Sequence, residues 1–190
     1  MSRIHYFAGL AWVAFCAMLV LGAPATRAGA SGPHPPTAAA GSGQQWFEQV
    51  KPRCNTVEVE LTWRANPPPA TVDGQGFGAA CLALAGRIDS ARAVIDRLDP
   101  SQRAPAAGIV FEVAHPIADA GDDRSAGPIM NMVVDYWPNH YMALYHAGMA
   151  DYALGHRSSA RSLLERFLVE YHEADGWRSN AERVLKELRQ

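Results

Sequence analysis

From position 72 to the end of the chain, apolar residues recur three or four positions apart. That spacing lines up apolar side chains on one face of an α-helix. Most of these apolar stripes end at a glycine or a proline, the residue types that commonly stop helices. The last stripe begins near Asp175 and includes Val184 and Leu188, with charged residues on the opposite face. The pattern predicts an all-α fold in which a helix at residues 175–190 caps the C-terminal end.

One short sequence motif occurs three times within this pattern. It begins at Gly86, Gly121 and Gly155, so its copies stand 35 and 34 residues apart. Ala or Leu precedes each glycine, and Ala follows each glycine five positions later. A fixed period near 34 residues is typical of arrays of two-helix repeats. We therefore predict three helical hairpins, at residues 72–105, 107–140 and 141–174, each turning at its glycine.

The first residues have the layout of a secretory signal peptide. Arg3 and His5 precede an apolar run from Tyr6 to Leu21, and small residues follow that run. This order predicts a signal peptide over residues 1–28, with cleavage near Ala25 to Ala30 and a periplasmic or secreted product. The alternative is a membrane-anchored protein, because the apolar run is only slightly shorter than a membrane span.

Residues 29–43 and 44–71 differ from each other in composition. The first segment is rich in Gly, Ser, Pro, Ala and Thr, which predicts a flexible linker. The second holds Trp46, Phe47 and Val50 at helical spacing, and we predict a mainly helical N-terminal extension. Within it, residues 55–65 leave two possibilities open. Their apolar and polar residues alternate as in a strand, whereas Asn55 followed by Glu58 is typical of a capped helix start.

The exported part of the chain carries two cysteines, Cys54 and Cys81. Two cysteines in a small domain usually pair in an oxidising compartment, which favours a Cys54–Cys81 disulfide. Such a bridge would close a loop of 27 residues and stabilise the fold by about 3.5 kcal/mol on a chain-entropy model. The alternatives are two free buried thiols or a nucleophilic Cys54, although Cys54 lacks the flanking residues of a known thiol enzyme.

The charge of the chain narrows the classes of partner. The formal net charge is −2 at pH 7, and no long basic run is present. Proteins that bind nucleic acid usually carry a basic patch or stripe, so nucleic acid is not an expected partner. Contact with a membrane is expected only through the N-terminal segment, if that segment stays uncleaved. We expect the partner to be another protein or a peptide.

Aligned on the three glycines, small and large apolar residues recur at fixed offsets. Small residues lie seven before and five after each glycine, and large ones lie nine and twelve after it. The positions are Ala79, Ala114 and Gly148; Ala91, Ala126 and Ala160; Ile95, Met130 and Leu164; and Leu98, Val133 and Phe167. This arrangement resembles the tetratricopeptide repeat over residues 72–190. The resemblance implies a short right-handed superhelix of helical hairpins, with the N-terminal extension packed on the first repeat.

The same resemblance implies a concave groove lined by the first helix of each repeat. Such grooves usually bind an extended peptide or a partner helix, which makes the chain a protein-interaction or scaffold module of the cell envelope. The groove positions are Phe111, His115, Asp119, Met142, Tyr145, Met149 and Tyr152. Aromatic and Met side chains suit adaptable apolar contacts. The alternative is that neighbouring helices or the N-terminal extension cover this face, so that it belongs to the core.

Two prolines predict irregularity in the second repeat. Pro116 lies inside the predicted first helix and should kink it. Pro128 predicts that the second helix starts late, near Ala126, with the proline in its first turn. Residues 136–141 then form the densest aromatic patch of the chain, which we interpret as a packed junction between repeats. The alternative is an exposed anchor for a partner.

His115 and Asp119 are the strongest candidates for metal binding or catalysis. They stand four apart and would share one face of a helix. With His140 or His146 nearby they could serve a small metal-binding protein or a hydrolase, which is the alternative function. We favour a local hydrogen-bonding or capping role for His115, because Pro116 follows it and the two other histidines are six residues apart. The expectation is therefore no catalytic residue, no metal and no cofactor.

Overall fold

The computed structural model of the protein describes residues 42–190, which form nine α-helices, one short 3₁₀ helix and no β-strand. The predicted all-α class is confirmed for this part of the chain. The helices are α1 (Ser42–Val50), α2 (Val59–Ala65), α3 (Val72–Leu84), α4 (Ile88–Asp96), α5 (Pro100–Asp119), α6 (Asp123–Tyr136), α7 (Tyr141–Ala153), α8 (Arg157–Glu170) and α9 (Gly176–Leu188), with the 3₁₀ helix at Lys51–Arg53. The predicted signal peptide and residues 29–41 of the predicted linker lie outside the described residues. The last two linker residues, 42 and 43, already belong to α1.

The segment at residues 55–65 is helical rather than extended. The Asn55 side chain accepts hydrogen bonds from the backbone N–H groups of Val57 and Glu58, each at 3.0 Å, one turn ahead of α2. Its amide also donates to the Glu58 carboxylate at 2.8 Å. Val57 and Leu61 are exposed, at 86% and 68%, whereas Val59 is buried. Only one face of this short helix is buried, through Val59 and Thr62, and the apparent alternation does not reflect a sheet.

Glycine ends the first helix of each hairpin in the same way. Gly86, Gly121 and Gly155 have φ of +73°, +77° and +84°, the left-handed region that residues with a Cβ rarely adopt. At Gly86 the backbone N–H donates to Ala83 O, and the next N–H, of Arg87, donates to Leu82 O. The corresponding pairs of bonds recur after α5 and after α7. These bonds satisfy the last carbonyls of α3, α5 and α7 and reverse the chain into α4, α6 and α8.

The positions that recur relative to the glycines are core positions. Ala79, Ala114 and Gly148 are buried, as are Ala91, Ala126 and Ala160. Gly148 brings α7 close to α8, because a Cβ at this position would lie 2.8 Å from two carbon atoms of Leu164. The large residues nine positions after each glycine are fully buried against this seam. Small residues thus let paired helices approach, and large ones fill the space between them.

The second hairpin departs from the predicted boundaries. Helix α5 begins at Pro100, so the predicted repeat boundary between residues 105 and 107 lies inside it. Proline fits this first helical position because its missing N–H would have no partner there. The prediction that α6 starts near Ala126 is wrong, because α6 starts at Asp123. Asp122 caps α6 by accepting a hydrogen bond from the Ser125 N–H at 3.1 Å.

The N-terminal extension packs on the first hairpin. Phe47 of α1 stacks on Phe77 of α3, with 5.3 Å between ring centroids. Cys54 and Cys81 form a disulfide that ties the extension to α3. The Trp46 indole N–H donates to the Asn66 carbonyl at 2.9 Å. The aromatic stacking and the disulfide therefore hold residues 42–71 against α3, and the Trp46 hydrogen bond joins two parts of the extension itself.

The core runs along the chain from α1 to α9. Each helix buries apolar residues against its neighbours, and the largest fully buried side chains include Ile95, Met130, Leu144 and Phe167. None of the helices formed by residues 42–190 combines the length and the apolar character that crossing a membrane requires.

We expect the left-handed glycines to be sensitive to backbone conformation rather than to crowding. A Cβ at Gly155 would meet no atom within 4 Å, yet Gly155→Ala should lower the free energy of unfolding by about 1 kcal/mol. Gly176→Ala is the matched control, because its Cβ also meets nothing and its backbone is not left-handed. Urea denaturation of the purified variants measures both changes. Equal effects of the two substitutions would contradict the conformational explanation.

Candidate functional site

The predicted groove residues lie on two helices. Phe111, His115 and Asp119 follow one face of α5 at intervals of four, and the remaining four residues follow one face of α7. Phe111 and Tyr145 are buried, and Asp119 is exposed. The structure divides this row into a covered part, an open cavity and a cluster of titratable side chains.

Helix α9 covers the C-terminal part of the row. Tyr145 meets Trp177 edge to face, with 4.9 Å between ring centroids, and its hydroxyl accepts a hydrogen bond from the Asn180 amide at 2.7 Å. The same amide lies 3.8 Å from the sulfur of Met149. The Tyr152 hydroxyl donates to the Glu187 carboxylate. Tyr145, Met149 and Tyr152 therefore face the chain's own last helix.

The other part of the row borders an open cavity of about 430 Å³, the α5–α7 cavity. Its walls come from the middle of α5, the connection between α6 and α7, and the first residues of α7. The lining residues are Phe111, Glu112, His115, Trp137, Asn139, His140, Tyr141 and Met142. Apart from the histidines, Glu112 is the only ionisable carboxylate or basic group on these walls.

Aromatic side chains form the rim of this cavity. Trp137 is 38% exposed and Tyr141 is 44% exposed. Tyr136, by contrast, reaches back to α4, where its hydroxyl donates to the Asp96 carboxylate at 2.8 Å. Burial and the bond to Asp96 raise the pKa of Tyr136 to about 12. Within the aromatic patch at residues 136–141, Tyr136 therefore forms a packed junction, whereas Trp137 and Tyr141 remain accessible at the surface.

A second cavity, of about 370 Å³, lies on the other side of Glu112. Phe47 and Lys51 of α1, Phe77 of α3 and Pro116 of α5 are among its walls. Because Glu112 lines both cavities, its exposed carboxylate stands between two concave, largely apolar surfaces.

His115 and Asp119 of α5 are joined by His146 of α7. The Nε2 atoms of both histidines lie 3.4 Å from Asp119 Oδ1. The three ligand atoms all lie within 4.8 Å of one another. Both Nε2 atoms are buried and make no hydrogen bond within the described part of the chain. Among residues 42–190, this His115–Asp119–His146 cluster is the one group whose donor atoms are close enough to share a metal ion.

His140 does not join the cluster, although the sequence offered it beside His146. Its Nδ1 atom accepts a hydrogen bond from the Ala143 N–H at 3.2 Å and so caps the start of α7. The His140 ring packs on Phe111 of α5, with 4.1 Å between ring centroids, whereas His146 brings its Nε2 atom to Asp119. Its contribution could be found from sequence only by knowing which side of α7 packs towards α5.

Burial controls the protonation of His146. Its side chain is only 6% exposed, and desolvation lowers its pKa to about 4. The neighbouring His115 lowers that pKa further, whereas the Asp119 carboxylate opposes the shift. At neutral pH, His146 is therefore an uncharged imidazole with a lone pair available on one nitrogen.

A second polar group, at the turn between α7 and α8, has a structural explanation. The buried carboxylate of Asp151 accepts a hydrogen bond from the Ser159 hydroxyl and lies 3.1 Å from His156 Nδ1. A nucleophilic serine needs a base beside its hydroxyl, but here both the serine and the histidine contact the acid. These residues satisfy a buried charge and join two helices.

No family model, no curated protein and no solved structure matches this chain.

The low pKa of His146 predicts a dependence of stability on pH in the metal-free protein. Between about pH 4 and pH 6.5, the unfolded chain binds a proton at this site that the folded chain does not. The free energy of unfolding should therefore fall as the pH falls through that window. We expect a loss of about 2 kcal/mol from His146, discounted because solvent reaches the cluster beside Asp119.

Denaturation in chelator-treated buffer at several pH values measures this loss. His146→Phe should flatten the pH dependence, whereas His172→Gln, at an exposed position, should preserve it. Retention of the full pH dependence in His146→Phe would contradict the assignment.

Proposed function

We propose that this protein is an exported tetratricopeptide-like module that binds a short peptide segment of another protein. The observation that carries the proposal is the α5–α7 cavity, which has a volume of about 430 Å³ and two partly exposed aromatic side chains at its rim. A concave, mainly apolar surface with a few polar groups is the usual form of a binding site.

The turns and packing positions support the proposed repeat architecture. Three successive hairpins end their first helices at a left-handed glycine, and the residues at equal offsets from these glycines are buried, except that Leu98 is partly buried. Helix α9 follows the third hairpin and has an exposed, charged outer face, as a capping helix needs. This regularity supports the proposal of a right-handed superhelix with a concave face formed by α3, α5 and α7.

The neighbours of the α5–α7 cavity favour a short occupant. Helix α1 packs on α3, and α9 packs on α7, so the face of α5 is the part of the row left open between them. A segment of a few residues fits this space better than a long partner helix. Phe111, Tyr141 and Met142 suit an aromatic or aliphatic anchor residue, and Met adapts readily to different shapes.

Charge gives the peptide a second expected feature. Glu112 is exposed and lies between the two cavities, and neither Lys nor Arg lines the α5–α7 cavity. A Lys or Arg next to the anchor residue would pair with the Glu112 carboxylate. Such a pair at an exposed rim contributes mainly to specificity and to the rate of association.

The disulfide supports export. A Cys54–Cys81 bridge persists in oxidising compartments and is uncommon in the reducing cytosol. Together with the predicted signal peptide, it favours a periplasmic or secreted protein over a membrane-anchored one. Intact mass measurement of the protein from its native compartment should show an N-terminus between Ala25 and Ala30. A full-length, membrane-bound chain would contradict this part of the proposal.

Selection from a displayed random-peptide library tests the binding function. The enriched peptides should share an aromatic or aliphatic anchor with a nearby Lys or Arg. Tyr141→Ala should weaken the selected peptide at least tenfold, since Tyr141 is an exposed part of the rim. Glu112→Gln should weaken it less and should reduce the dependence of binding on salt. Titration by fluorescence polarisation, with chelator present, measures the affinities.

Two exposed positions on α8 provide matched controls. Val169→Ala truncates an exposed apolar side chain and Glu165→Gln removes an exposed carboxylate, both away from the cavity, and both variants should bind as the unaltered protein does. Failure to enrich any saturable peptide, or equal binding by Tyr141→Ala, would reject the peptide-binding proposal. A crystal structure of the complex would also test the superhelix, whose hairpins should be related by one common right-handed rotation.

A further inference from the structure

We propose that His115, Asp119 and His146 form an open binding site for a divalent transition metal, with Zn²⁺ as the ion that fits best. The site lies between α5 and α7, beside the α5–α7 cavity. It does not depend on peptide binding, since all three ligands come from this chain.

The distances fit a shared metal better than direct hydrogen bonds. Each histidine Nε2 lies 3.4 Å from Asp119 Oδ1. A direct charge-assisted N–H···O bond would be about 2.7–2.9 Å long. In a tetrahedral zinc site with bonds of about 2.0–2.1 Å, neighbouring ligand atoms stand about 3.3–3.4 Å apart. The two Asp119 contacts therefore have the separation that a common zinc ion imposes.

The third edge of the site requires only a small adjustment. The ligand atoms of the two histidines lie within 4.8 Å of each other, so closing on the ion needs a relative shift of at most about 1.4 Å. His115 is half-buried near the C-terminal end of α5, and its ring stacks on Phe111 at 4.6 Å. Rotation about its side-chain bonds can supply the shift without moving either helix.

Without a ligand, burial of the two Nε2 atoms carries an uncompensated desolvation cost. Both are buried, and neither forms a hydrogen bond within residues 42–190. A buried polar atom left without a partner typically costs about 1–3 kcal/mol. The His146 side chain is 6% exposed, so most of its surface has lost contact with water. A metal ion bound to both nitrogens would remove this cost at two atoms at once.

The surrounding side chains have the character of a metal site's outer layer. The ring of His146 meets Tyr145 and Trp177 edge to face, with 5.3 Å and 5.8 Å between centroids. These aromatic rings shield the site on the side of α9. An apolar layer of this kind limits the access of water and strengthens the attraction between ion and ligands.

The ligand types select among metals. Two imidazoles and one carboxylate suit Zn²⁺ and related borderline ions, whereas Ca²⁺ and Mg²⁺ prefer sites made of oxygen atoms. Cys54 and Cys81 are joined in the disulfide and offer no thiolate. Asp119 is 46% exposed, so an ion can enter on its side and keep a fourth position open to water or a small ligand. Three protein ligands with one open position are typical of reactive rather than purely structural zinc sites.

Titration of the chelator-treated, untagged protein with ZnCl₂ alone tests this inference. Isothermal titration calorimetry should show one ion per chain, and the melting temperature should rise with the concentration of free zinc. CoCl₂ should produce the visible absorption bands of four-coordinate cobalt, a signal that a side-chain cluster which binds no metal would not give.

Two conservative variants identify the ligands. Asp119→Asn and His115→Gln alter partly exposed side chains and should each weaken zinc binding by more than about tenfold, the lower limit for losing even an outer-layer partner. His172→Gln, which changes an exposed histidine away from the cluster, should bind zinc normally. Circular dichroism of the metal-free variants checks that they remain folded.

Three results would overturn the inference: no saturable binding of zinc, no cobalt absorption, or unchanged affinity in both ligand variants. Because the peptide titrations contain chelator, loss of peptide binding and loss of metal binding are separate results. Either proposal can therefore fail while the other holds.

Discussion

The fold depends on a backbone conformation that only glycine adopts readily. At Gly86, Gly121 and Gly155 the chain enters the left-handed region, and two backbone hydrogen bonds close the end of the preceding helix. This turn fixes how the second helix of each hairpin returns along the first. Once the return is fixed, residues at equal distances from the glycine meet the same neighbours. The small residues at Ala91 and Gly148 and the large one at Leu164 are therefore consequences of the turn as much as of the core.

Local chemistry explains why much of this architecture could be predicted from the sequence. The helical hairpins, the capping helix and the Cys54–Cys81 pairing depend on spacing and on residue types that act over a few positions. Prolines were harder to interpret, because the same residue stops one helix and starts another. Pro100 is the first residue of α5, although it lies inside the first hairpin predicted at residues 72–105, and the cap at Asp122 outweighs Pro128 in setting the start of α6.

Contacts between distant segments account for what the sequence could not predict. The candidate groove residues have the right spacing on α5 and α7, but nothing in that spacing shows that α9 packs over three of the seven. The hydrogen bonds from the Asn180 amide to Tyr145 and from the Tyr152 hydroxyl to Glu187 each span 35 residues. His146 likewise joins His115 and Asp119 only because two helices that are not consecutive present these side chains to one point. Periodicity identifies a face, whereas tertiary packing identifies what the face meets.

Helix α9 stays close to the face of α7 that it covers, so it would compete with any free helix for that face. Only a short connection separates the end of α8 at Glu170 from the start of α9 at Gly176, so α9 remains tethered beside its docking face. A helix tethered by a short connection has an effective local concentration of the order of millimolar. A free helix with similar contacts would have to exceed that concentration to displace α9. The C-terminal helix is therefore a tethered competitor for the face of α7 that it covers.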